Sequence, residues 1–222
     1  MKAKTFIFYL LAILLGGCFP VMSLHPLFNE KDVVFDGKLL GAWVEEPNAT
    51  WEFSRTEGPK NAYKLIYTRQ EKEEVGFGGY IAQARKAKGS FIVRLVKLKD
   101  NLFLDICPAS REQQDPNKVN FWVYNVFLIP AHTFVKINSV EPQLKMQVTD
   151  DEKMKEFLIE QDPNAVKHEF LEDGSPILTG STKELQAFVL KYADDSRVFT
   201  EAMVLSRKKT ADPNAPPPSK RN

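Results

Sequence analysis

Between Trp43 and Thr149 the chain is a succession of short segments rich in aromatic and β-branched residues, each closed by a turn signal, and this pattern restricts it to an antiparallel β architecture. The segments are Trp51–Phe53, Tyr63–Arg69, Val75–Ala84, Phe91–Leu98, Leu102–Cys107, Phe121–Ile129, His132–Ile137 and Leu144–Val148. Their connections are too short for parallel crossovers, so neighbours in sequence pair as a meander. Lys99-Asp100-Asn101 and Ala87-Lys88-Gly89-Ser90 are candidate hairpin turns. Leu144, Met146 and Val148 alternate with Gln143, Lys145, Gln147 and Thr149, as in a sheet with one wet face. Phe121–Ile129 is apolar on both faces and must be covered from outside.

Two helices are placed to provide such cover. Thr149 and Glu152 have capping-box spacing ahead of Met154, Phe157 and Leu158, and Ser181 and Glu184 repeat it ahead of Leu185, Phe188, Val189 and Tyr192. The spacing predicts helices near 150–161 and 181–193, followed by a last strand near Glu201–Arg207. The expected organisation is a single β domain over 39–209 and a disordered Pro-rich tail over 210–222. Residues 18–38 form a tether and lead-in, of which Val33 to Leu40 are apolar enough to lie against the body.

The first residues carry a separate message. Lys2 and Lys4 precede the apolar run Phe6–Leu15, which is about half the length a spanning helix needs, and then comes Leu15-Gly16-Gly17-Cys18. This resembles the lipobox of bacterial lipoproteins, with residues 1–17 as the signal peptide. The resemblance implies cleavage before Cys18 and acylation of that cysteine, so that an N-terminal lipid (palmitate among its acyl chains) holds the protein at a membrane. Phe19 rather than Asp after the cysteine resembles the outer-membrane sorting pattern, which places the protein in the cell envelope, facing the periplasm if the source is Gram-negative. Removal of 1–17 leaves 205 of the 222 residues, and 28 of the 30 basic side chains against 29 acidic ones. That balance argues against nucleic acid as a partner. Cys107 is then the remaining thiol, so no intramolecular disulfide is available, and its apolar strand reads as a buried position.

Leu40-Gly41-Ala42-Trp43 opens the first strand of the domain and Arg207 ends the last. This resembles the lipocalin (calycin) pattern, in which a Gly-x-Trp at the base of a barrel packs under an arginine of the final strand. The resemblance implies an antiparallel meander β-barrel, or a strongly curved sheet, with Gly41, Trp43 and Arg207 as a structural plug. The two late helices depart from the single one usual in lipocalins. Sixteen Phe, six Tyr and three Trp suit a lined cavity and a plain core equally. Tyr67, Phe77, Phe91, Phe103 and His132 are the candidate lining residues. Gly76, Gly78 and Gly79 suit a bulge or bend, since no P-loop lysine follows them.

Catalytic signals are scarce. His25, His132 and His168 have no metal-ligand spacing with one another or with Cys107, so neither a metal nor a cofactor is expected. No Gly-x-Ser-x-Gly elbow is present. Asp105 is a candidate acid or base if it points inward, and otherwise a partner for a residue such as Arg94 on a neighbouring strand. His132 either lines the barrel mouth or is a hydrogen-bonded turn histidine. The sequence therefore leads to the expectation of a non-enzymatic, lipid-anchored module taking an apolar small molecule, such as a lipid or fatty acid. The alternative is an envelope lipoprotein with a filled barrel and a protein partner.

Overall fold

In the computed structural model, described over residues 20–70, 86–109 and 129–208, two short strands precede the main body: β1 (Met22–Ser23) and β2 (Val33–Val34). Then follow β3 (Gly41–Glu45), β4 (Ala49–Arg55), β5 (Ala62–Gln70), β6 (Lys86–Leu98), β7 (Asn101–Pro108), β8 (Thr133–Ser139) and β9 (Leu144–Val148). Helix α1 (Asp151–Glu156) continues into a wider turn at Phe157–Gln161, and β10 (His168–Phe170), β11 (Pro176–Leu178), α2 (Thr182–Lys191) and β12 (Met203–Arg207) complete the order. The expected segments Val75–Ala84 and, up to Leu128, Phe121–Ile129, with Phe77 and the Gly76, Gly78 and Gly79 cluster, lie outside the described residues. So do the signal segment, Cys18 and the tail.

Strands β3 to β9 pair with their sequence neighbours in antiparallel fashion, and β12 pairs with both β9 and β3, so eight strands close into an up-and-down barrel. Closure satisfies every ladder edge, which an open sheet of this length leaves exposed. Lys99 and Asp100 make the tight turn between β6 and β7, with Lys99 in the left-handed region at φ 53°. The second expected hairpin is not a turn. Ala87–Ser90 runs inside β6, and Gly89 is there because a Cβ would stand 2.6 Å from the ring of Phe91.

Register fixes which side chains point inward. Trp43 lies opposite both Arg207 and Trp51, Trp51 opposite Tyr67, and Tyr67 opposite Gly89, a row crossing five strands on one face. Leu104 lies opposite Leu95 and Val135, and Val135 opposite Val148. The interior core is therefore Leu39, Trp43, Phe53, Tyr63, Leu65, Val93, Leu95, Leu104, Ile106, Val135, Ile137, Leu144, Met146 and Leu205.

Strand β7 is apolar on both faces, and its outer face is covered. Val96, Leu98, Phe103 and Phe134 pack outward against Met154, Phe157 and Leu158 after β9, and against Leu185, Phe188 and Val189 of α2. A small sheet of β1, β11 and β10, which the sequence pattern does not announce, completes this layer with Val21 and Leu178. The lead-in joins the body earlier than expected: Val21 and Leu27 are buried as fully as Val33 and Leu39.

Helix caps follow the same economy. At α2, Ser181 Oγ accepts from Glu184 N–H while the Glu184 carboxylate accepts from Ser181 N–H and Oγ–H, as the spacing predicts. At α1 the cap is Asp150, which accepts from Lys153 N–H at 2.8 Å, and not Thr149. Thr149 is already committed: it bridges Phe199, and its Oγ1 accepts from Val21 N–H at 3.0 Å.

The α2 cap has a pH signature. The Ser181 hydroxyl, then Lys167 and the Ser181 N–H, hold the Glu184 carboxyl down at about 2, below its ordinary 4.5. A carboxyl depressed on folding stabilises the fold above its ordinary pKa, and that contribution disappears as pH falls from about 4.5 to about 2. Glu184→Gln is therefore expected to lower the urea midpoint at pH 7 and to match the unsubstituted protein near pH 2. A midpoint difference that stays constant over that range would contradict the assignment.

Candidate functional site: a barrel sealed at one end and aromatic at the other

The base of the barrel is closed by groups that interlock. Trp43 is fully buried and its Nε1–H donates to Leu39 O at 2.9 Å. The Arg207 guanidinium lies 4.3 Å from the centre of the Trp43 ring, and donates to Leu40 O at 2.9 Å and to Lys38 O. Gly41 sits at φ 111°, a conformation that favours glycine, and a Cβ there would reach within 3.0 Å of Arg207 Nη1. The lead-in crosses the same end: Phe35 stacks on Tyr63 at 4.7 Å, and Arg55 stacks on Phe35 at 4.4 Å. Burial, together with the Asp36 charge, raises the Tyr63 hydroxyl pKa.

The opposite end is where β5, β7 and β9 finish and where every long connection between barrel strands departs. Trp51 Nε1–H donates to Glu45 Oε2 at 2.9 Å, and Tyr67 meets the Trp51 ring edge-on at 5.2 Å. Burial and the neighbouring Glu45 carboxylate push the Tyr67 hydroxyl above its ordinary pKa, with Arg69 opposing them. Phe91, Val148 and Met203 pack at this end while remaining partly exposed. Thr133, on the inward face of β8, has a buried hydroxyl with no hydrogen-bond partner. A buried hydroxyl without a partner costs free energy, so this position suits an incoming polar group or a water.

Of the expected lining residues, Tyr67 and Phe91 face the barrel interior. Phe103 and His132 do not. Phe103 is wholly buried in the outer layer against Phe199, because the inward positions of β7 belong to Leu102, Leu104 and Ile106. His132 Nδ1 lies 2.6 Å from Asp105 Oδ1, between the barrel and the second layer. Glu45, Trp51 and Thr133 were missed as site residues. The alternation Gly41, Trp43, Glu45 and the short turn before Trp51 were the signal that could have placed the first two.

Asp105 points outward into the seam, not into the barrel. Its second oxygen accepts from Leu27 N–H at 2.7 Å. Arg94 is its cross-strand neighbour yet stacks on Phe28 at 4.4 Å. Lys136 is likewise buried in the seam and donates to Ala193 O and Asp194 Oδ1, both at 2.7 Å. These groups stitch the outer layer to the barrel. Ser23 Oγ, beside His132, is occupied by His25 O at 2.9 Å. Cys107 is half-buried, and burial and the Asp105 charge push its thiol up, away from the reactive thiolate.

An open surface groove of about 550 Å³ separates the Pro163–Glu169 segment from α2, with the Lys167–Glu184 ion pair at 2.9 Å on its wall. Among the described residues, no group of three His, Cys, Asp or Glu is placed to hold a metal, and no helix is long and apolar enough to cross a membrane.

Fold and site together define an eight-stranded up-and-down β-barrel of lipocalin-like architecture, sealed below and aromatic above. No protein-family model, no curated protein and no solved structure matches the chain.

Proposed function

We propose that the protein is an exported lipoprotein, anchored through Cys18 in the cell envelope, that binds an apolar ligand such as a lipid or fatty acid without acting on it as an enzyme. The observation that carries the binding part is the asymmetry of the barrel. One end is plugged by Trp43 and Arg207, while the other carries Trp51, Tyr67 and Phe91 on β4 to β6 and the unpartnered Thr133 hydroxyl at the start of β8. Aromatic walls with a few fixed polar groups are the usual makeup of small-molecule sites. Glu45 and Thr133 would meet the polar end of such a ligand and the aromatic side chains its tail. The Gly-x-Trp and arginine resemblance to lipocalins supports the same reading. An outer-membrane position follows from Phe19 after the cysteine, if the source has two membranes.

A second reading is favoured by the lower barrel, where Leu39, Trp43, Tyr63, Leu104, Leu144, Met146 and Leu205 are wholly buried and fill the interior. In that reading the barrel is a filled scaffold and the partner is an envelope protein. Native mass spectrometry on a soluble form beginning at Phe19, purified without detergent, separates the two. A stoichiometric apolar adduct, recovered by lipid extraction, is the expected result. A clean unliganded mass, with no displaceable binding of a hydrophobic fluorescent probe, would overturn ligand carriage and favour the scaffold. For the anchor, Cys18→Ala is expected to move the protein from the membrane fraction to the soluble fraction with its fold intact. Continued detergent-dependent membrane association would refute it.

A further inference from the structure

We infer that the folded body sits directly on the bilayer with the aromatic end of its barrel, the end of Trp51 and Tyr67, turned toward the lipid, held there by a leash too short to act as a tether. This rests on the reading of Cys18 as the acylated residue. Val21 is buried, and its N–H is bonded to Thr149 Oγ1 at 3.0 Å, so the chain is fixed to the body at that point. Three residue steps separate Cys18 from Val21. Fully extended, they span at most about 11 Å.

The place where the leash ends determines the orientation. Thr149 directly follows β9 at the aromatic end, where it bridges Phe199 and where Thr200 N–H donates to Val148 O at 2.8 Å. The acyl chains therefore enter the membrane within about 11 Å of Val21, beside that end of the barrel. The sealed end lies a further strand length away, about 15–20 Å along the axis for the seven residues of β4 after allowing for tilt. Met22, next to the fixed point, is 38% exposed beside Ile177 in the small sheet, and the same row continues to exposed Glu169.

Charge at this end is mixed: Asp151 and Glu152 follow the fixed point and Glu201 flanks it, while Arg69, Lys86 and Lys88 stand where β5 ends and β6 begins, so the proposal rests on the leash and not on charge. The orientation is consequently mechanical and is expected on zwitterionic lipid. An apolar ligand would then pass between bilayer and barrel without crossing bulk water.

The test uses the full-length lipidated protein reconstituted into phosphatidylcholine vesicles doped with a headgroup nitroxide lipid. A fluorophore is attached, in a Cys107→Ser background, through Glu201→Cys at the aromatic end or Lys60→Cys in the turn at the sealed end. Quenching several-fold stronger at position 201 than at 60 is expected, and a long Gly/Ser insertion between Phe19 and Pro20 should abolish the difference. Equal quenching at the two positions without the insertion, or stronger quenching at 60, on protein whose acyl mass has been verified, would overturn the orientation alone. Absence of an acyl mass on the Cys18 peptide, with no vesicle binding, would overturn the anchor itself.

Discussion

Replacing Trp43 by alanine is expected to destabilise the soluble protein by about 3–5 kcal/mol, the range for removing a large buried aromatic side chain. The side chain is wholly buried at the base of the barrel. Its removal would uncover Leu39 O, which accepts the indole N–H at 2.9 Å, and would leave Arg207 without the ring 4.3 Å beneath it. The barrel cannot collapse onto the space, because its circumference is fixed by ladder pairing on all eight strands. Trp43→Phe separates the contributions: it keeps most of the apolar volume and loses the indole hydrogen bond, for an expected cost nearer 1–2 kcal/mol, on the order of one hydrogen bond and a small cavity. Urea unfolding followed by circular dichroism gives both numbers. A Trp43→Ala loss within about 0.5 kcal/mol would mean that the ring is not the plug, since that is the range of an inconsequential surface change.

How far the fold was legible depends on how local its causes are. The strands from β4 to β9 and the Lys99–Asp100 turn are written in alternation and turn chemistry over a few residues. The α2 cap is written in Ser181 and Glu184. Trp43 and Arg207 were legible as a pair through the resemblance of Leu40-Gly41-Ala42-Trp43 and Arg207 to the lipocalin pattern. The facing of β7 was not legible, since Leu102, Phe103, Leu104 and Ile106 are all apolar and a period of two leaves no mark when both faces are buried. Phe103 was assigned to the cavity and Asp105 was left between two roles for that reason. Gly89 imitated a turn because a glycine yielding space to a ring looks the same in sequence as one turning the chain. The small sheet of β1, β10 and β11 is built from strands of two or three residues, too short for any propensity to register. The α1 cap moved from Thr149 to Asp150 because a contact 128 residues away, from Val21, claims the threonine hydroxyl. At the candidate site the aromatic residues Tyr67 and Phe91 were readable by type, whereas Glu45 and Trp51 acquire meaning only once the β3–β4 register brings them together, and Thr133 only once register turns it inward.

Asp105→Ala should be as costly as the loss of the plug, about 3–5 kcal/mol, because it removes one partner from a buried polar arrangement and strands the others. Asp105 is 1% exposed, with His132 Nδ1 at 2.6 Å from one oxygen and Leu27 N–H at 2.7 Å from the other. Leu27 N–H is a fixed donor, whereas a neutral imidazole can present its Nδ1 as donor or acceptor according to the tautomer. Asp105→Asn can therefore accept from Leu27 N–H and donate to His132 Nδ1, and is expected to cost less than Asp105→Ala, about 1 kcal/mol, on the order of one hydrogen bond. Arg94 provides the contrast. If the strand pairing suggested by the sequence governed this carboxylate, Arg94→Ala would be equally damaging. With Arg94 stacked on Phe28 instead, its removal should cost about 0.5–1 kcal/mol, the value of an exposed cation–π contact. The loss in Asp105→Ala should also be localised. Leu27 and Ser23, the latter bridged to His132, are fastened to the barrel through this seam, so hydrogen-exchange protection at the Leu27 amide should fall well before that of the β4–β5 ladder. If Asp105→Ala unfolds at the urea midpoint of the unsubstituted protein, or if Arg94→Ala matches it, the seam does not hold the lead-in. The leash between Cys18 and Val21 would then lose the fixed point on which the orientation of the barrel depends.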